Sequence, residues 1–92
     1  MTFTARVNVM LKPGIADPQG QTIEKALPVL GYEGVGDVRV GKRIELRLDA
    51  SDESDARDKV DAMCKQLLSN PVIESYEVTL ADDTGGTNGG EV

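Results

Sequence analysis

From Phe3 to Leu11 the side chains fall into two sets that alternate without a break. Phe3, Ala5, Val7, Val9 and Leu11 share one side; Thr4, Arg6, Asn8 and Met10 share the other. A period of two over nine residues demands a strand with one buried face. The remaining elements have to pair with that strand and cover it.

The following stretch, LKPGIADPQG, packs two prolines and two glycines into ten residues. Pro13 cannot donate to a ladder and Gly14 permits a turn, so Lys12-Pro13-Gly14 ends the strand. Asp17-Pro18 predicts a helix start, with aspartate as cap and proline at the first helical position. Ile23, Ala26, Leu27 and Leu30 then mark one apolar helix face, and Gly31 suits the position after the last turn. Pro28 removes a hydrogen bond to the Glu24 carbonyl and loosens that turn.

Val35 to Val40 reads as a second strand, with Gly36 at a bulge. Ile44, Leu46 and Leu48 alternate with Arg43, Glu45, Arg47 and Asp49 in a third, and Gly41-Lys42 fits a two-residue hairpin between them. A second helix starts near Ser51-Asp52-Glu53. Its inner stripe is Ala56, Val60, Met63, Cys64 and Leu67, and Asn70-Pro71 stops it. Val72 to Leu80 makes the last strand. The order β-α-β-β-α-β predicts a ferredoxin-like α+β fold, one antiparallel sheet with two helices on one face. Residues 1–80 form a single domain on this reading, and the Gly-rich residues 81–92 a disordered tail.

Charge narrows the function. The chain of 92 residues carries a formal charge of −6. Residues 81–92 hold three acids and no base, which leaves thirteen acids against ten bases in the rest. A nucleic-acid surface needs a basic footprint, and a membrane surface attracts basic segments, so neither partner is expected. No apolar run approaches the ~18 residues of a membrane span. The alternating N-terminus, with Arg6 in it, has no signal-peptide core. One cysteine makes no intramolecular disulfide. A soluble protein of a reducing cytoplasm is the expectation.

Catalytic signals are sparse. There is no histidine, and one cysteine makes no thiolate metal site. Cys64 falls on a buried stripe, where a thiol is inert. Asp49, Asp52, Glu53, Asp55, Asp58 and Asp61 crowd the second helix, as a solvated face with acids at its positive end would. GVGDVRVGK has the wrong spacing for a phosphate loop. Asp17 itself occupies the first helix's free amides and repels an anion. Arg39, Lys42, Arg43 and Arg47 cluster in one hairpin, with Arg6 on the same open sheet face. That cluster fits an acidic partner surface or a second copy. An RNA-recognition module lacks its stacking aromatics here. A ligand-binding regulatory module of the ACT type shares the element order and remains the alternative to a non-catalytic subunit.

The runs VNVMLKPGIADPQG, ALPVLG, VGDVRVGKRIEL and LLSNPVIESYEV, in that order and spacing, resemble the PurS family. This family is the small subunit of multi-subunit phosphoribosylformylglycinamidine (FGAM) synthase. The resemblance implies a role in purine biosynthesis without an active site in this chain. The holoenzyme converts formylglycinamide ribonucleotide, glutamine and ATP to the amidine, glutamate, ADP and phosphate. A PurQ-like glutaminase releases ammonia, and a PurL-like synthetase holds the ATP and magnesium. The resemblance implies a homodimer or tetramer that bridges those two subunits and takes part in ammonia transfer, with no cofactor of its own. The partner contacts it points to are Lys12, Asp17, Gln19, Gly20, Arg39, Gly41, Lys42 and Arg43. LKPGIADPQG is then a rigid docking loop, its prolines reducing the entropy lost on binding.

Overall fold

The computed structural model describes residues 1–83. β1 (Thr2–Leu11) leads to α1 (Pro18–Val29), β2 (Lys42–Asp49), α2 (Glu53–Met63), a π-helical stretch (Cys64–Leu68) and β3 (Glu74–Asp82). β1 is the central strand of an antiparallel sheet, with β2 and β3 as its neighbours. An open antiparallel sheet with two helices is the ferredoxin-like α+β arrangement anticipated above.

The period-two pattern sets the register. Val7 lies opposite Ile44 and Val78, and Ala5 lies opposite Leu46 and Leu80. A slip of one residue would turn every apolar side chain to the wrong face. α2 covers the apolar face. Ala5, Val7, Val9, Val60 and Cys64 form one buried cluster, and Phe3, Ala50 and Ala56 a second. On the other face Glu45 pairs with Arg6 at 3.4 Å and with Arg43 at 3.1 Å, so the basic residues there carry some of their own counter-charge.

α2 starts where its sequence says. The Asp52 carboxylate accepts from the Asp55 amide at 2.8 Å, and Asp55 reaches back to the Ser51 amide at 2.9 Å. Its end departs from the predicted stripe. The Ser69 amide donates to the Cys64 carbonyl at 3.0 Å, a five-residue step. That wider turn rotates the following side chains by about one position. Leu67 is therefore 82% exposed, and Leu68 packs on the core in its place.

α1 also starts as predicted, but its apolar stripe does not reach the core. None of the residues gathered in the two core clusters comes from α1. Ile23 is 42% exposed and Leu30 71%. The helix closes by paired bonds, Tyr32 amide to Leu27 carbonyl and Gly31 amide to Pro28 carbonyl, both 3.0 Å. Gly31 takes the positive φ of 99° that this closure requires.

The predicted strand over Val35–Val40 does not form, and neither does its hairpin at Gly41-Lys42. Asp37 has a left-handed φ of 56°, which breaks an extended run. The amides of Val38 and Val40 are bound by carboxylates of the α1 region, not by a strand. Among the described residues the sheet accordingly has three strands. β3 is shifted from the expected Val72–Leu80 because Pro71, Val72 and Ile73 form a turn on Asn70, whose carbonyl accepts from Ile73 and Glu74. β3 runs to Asp82, two residues beyond the boundary drawn at 80. The predicted disordered tail otherwise lies outside the described residues.

Candidate functional site

The quoted loop folds around one buried carboxylate. Asp17, 6% exposed, caps α1 by accepting from the Gly20 amide at 2.8 Å. Its second oxygen accepts from the Val40 amide at 2.8 Å, and the Arg39 Nε lies 3.5 Å away. The Val40 amide first, then Gly20 and Arg39, hold this carboxyl below the ordinary carboxylate range, against the opposing effect of burial. About two turns further on, Glu24 accepts from the Val38 amide at 3.1 Å. Two carboxylates thus clamp the Val38–Val40 segment to α1.

Glycines make the clamp possible. A Cβ on Gly20 would lie 2.2 Å from the Val38 carbonyl oxygen, and one on Gly41 would lie 2.5 Å from that of Val9. The clamp is tied to the sheet by Arg39, whose Nη2 donates to the Leu11 and Lys12 carbonyls at 3.1 and 3.3 Å. Lys12 extends the tie. Its amide donates to the Ile73 carbonyl and its Nζ to the Pro71 carbonyl, both at 2.8 Å.

Between the end of β1, the start of α1 and the start of β2 lies a groove of about 300 Å³, with Asp17, Gln19, Gly41, Lys42 and Glu74 on its walls. Of the predicted contact residues, Asp17, Gln19, Gly41 and Lys42 meet here. Gly20 and Arg39 lie behind them, building the clamp. Lys12 points to the turn at Pro71, and Arg43 sits with Glu45 on the open sheet face. The sequence reading missed Glu24 and Glu74. For Glu24 a signal existed, since it stands seven residues after Asp17, on the same helix face.

The groove presents polar and charged side chains. Among the described residues no group of three or more His, Cys, Asp or Glu side chains could hold a metal ion. Cys64 is buried, and burial, with the Asp61 charge second, raises its thiol pKa. No helix among the described residues is long and apolar enough to cross a membrane.

The family model of PurS, phosphoribosylformylglycinamidine (FGAM) synthase, matches residues 4–82. The chain belongs to the PurS family. It is 48% identical over 75 residues to the phosphoribosylformylglycinamidine synthase subunit PurS of Synechocystis, a match covering 82% of this chain and 75% of that relative. The crystal structure of Methanocaldococcus jannaschii PurS, described as one of the subunits of formylglycinamide ribonucleotide amidotransferase in the purine biosynthetic pathway, is 38% identical. It superposes with a TM-score of 0.78 over 87% of this chain and 96% of that one. A chain in the structure of PurLQS from Thermotoga maritima is 34% identical, with a TM-score of 0.80, covering 88% of this chain and 99% of the other. The three antiparallel strands and two helices described above match those PurS structures.

Proposed function

We propose that this PurS-family chain is the small, non-catalytic subunit of FGAM synthase in purine biosynthesis. It joins a PurL-like synthetase to a PurQ-like glutaminase, in the cytoplasm, as a homo-oligomer, and assists ammonia transfer between them. ATP and magnesium belong to the synthetase. The observation that carries this reading is the match to a chain of the PurLQS structure over nearly its full length.

The clamp supports a docking role on physical grounds. Arg39, Asp17 and Glu24 fix the loop's backbone before any partner arrives, so little conformational entropy is lost on binding. Gln19 and Lys42 stand at the groove with side chains exposed, and Lys42 makes no ion pair among the described residues. An acidic partner surface fits them.

Co-purification with synthetase and glutaminase subunits, with and without glutamine and ADP, tests the proposal. Stable ternary assembly is expected, with glutamine-dependent amidine formation requiring all three chains. Gln19→Ala with Lys42→Glu should weaken assembly in a salt-dependent way while leaving the melting temperature unchanged. Full glutamine-coupled turnover without this chain would sink the proposal.

A further inference from the structure

The inward rows of the sheet end in charge. β2 turns Ile44, Leu46 and Leu48 toward the core, and the remaining member of that row is Lys42. β3 turns Tyr76, Val78 and Leu80 the same way, and its row starts with Glu74. Opposed residues of an antiparallel pair project to one face. Lys42 lies opposite Val9 and Glu74 opposite Leu11, so both charges project to the apolar side. The period of two calls for an aliphatic residue at each position.

Both charges stand on the walls of the groove of about 300 Å³, whose apolar lining includes Val9, Leu11 and Val40. β1 separates their strands, which run roughly 10 Å apart. Neither has an ionic partner among the described residues. Glu74 is held in place, since its Oε1 accepts from the Asn70 amide at 2.7 Å. Its Oε2 is left for another donor. Asp17 adds no further acceptor, because the Gly20 and Val40 amides take its two oxygens. A simple anion entering the groove meets the Asp17 and Glu74 carboxylates, and a simple cation meets Lys42. The volume is at the small end of the ~300–1,000 Å³ of small-molecule sites, which is small for a nucleotide.

We propose that this groove binds a free α-amino acid with an aliphatic side chain. The ligand's carboxylate pairs with Lys42 and accepts from the Gln19 side-chain amide. Its ammonium pairs with Glu74 Oε2, and its side chain lies on Val9, Leu11 and Val40. Such a ligand bridges the starts of α1, β2 and β3. It also occupies Gln19 and Lys42, the groups given above to a partner subunit, so amino acid and partner compete. That consequence rests on the docking reading; the binding itself does not.

Calorimetry of the full chain without partners tests the site, with L-leucine as probe taken into the millimolar range. One-to-one binding is expected. Isocaproate lacks the ammonium and isoamylamine lacks the carboxylate, and each should bind about tenfold more weakly or worse. L-leucine should lose as much on Lys42→Met and on Glu74→Gln, with both variants folded by circular dichroism. No binding of L-leucine overturns the proposal. So does equal binding by the two single-charge analogues, or binding that both variants retain. Assembly with the synthetase subunit is then measured separately, and L-leucine should weaken it. Assembly that ignores L-leucine bound in the groove would remove Gln19 and Lys42 from the docking surface and leave the amino-acid site standing.

Discussion

The carbonyl oxygen of Val38 lies directly over Gly20, where a Cβ would come within 2.2 Å of it. The nearest obstacle is backbone, with the Asp17 carboxyl carbon beside it at 3.0 Å, so a side chain there must push the Val38–Val40 segment off α1. An exposed helical glycine normally gains about 0.5–1 kcal/mol on replacement by alanine. Gly20→Ala should instead cost about 1–3 kcal/mol, the range for overpacking. Thermal unfolding of the variant measures the sign. Unchanged or raised stability would show that the segment moves freely.

Asp17 gives the chain part of its acid sensitivity. Its carboxyl pKa is lowered in the folded state, mainly by the Val40 amide, so the folded protein prefers the ionised form. The stabilisation is complete above the unfolded-state pKa of about 3.9 and is lost as pH falls through the lower folded value. Asp17→Asn should lower the melting temperature at neutral pH and flatten this part of the acid limb. Melting curves of both proteins between neutral and strongly acidic pH test it; parallel curves would refute the assignment.

The wide turn after α2 predicts unequal neighbours. Leu68→Ala should cost about 1–3 kcal/mol, because Leu68 packs on the core. Leu67→Ala should stay within about 0.5 kcal/mol in the isolated protomer, where Leu67 is exposed. Denaturant titrations of the two variants would reveal a reversed order if the helix kept its ordinary pitch.

Tyr76 donates to the Asp61 carboxylate, which also pairs with Lys65 at 3.1 Å. That hydrogen bond, with burial and the Asp61 charge adding to it, pushes the Tyr76 pKa up to about 12. Ultraviolet titration in a Tyr32→Phe background should find this late phenolate. Asp61→Asn should bring it back toward the ordinary value of about 10. A wild-type tyrosine already ionising near the ordinary value would rule the contact out.

Much of this was legible in the residues themselves, and the reason is local. The alternation in β1 and in β2, the caps Asp17 and Asp52, and the Gly31 closure are set by side chains within a few positions of one another. The family runs were equally visible, since they are contiguous words. Three outcomes belonged to the tertiary structure. Val35–Val40 carries strand-forming valines, but its amides are bound by Asp17 and Glu24, partners 23 and 14 residues away. Leu67 sits at the helical spacing for burial, and one inserted residue in the turn hands the place to Leu68. The stripe of α1 has the pattern of a buried face, yet pattern records only that a surface is apolar. What lies against it is decided by how distant parts of the chain are fastened, because packing partners are chosen in space and a sequence period describes one element alone.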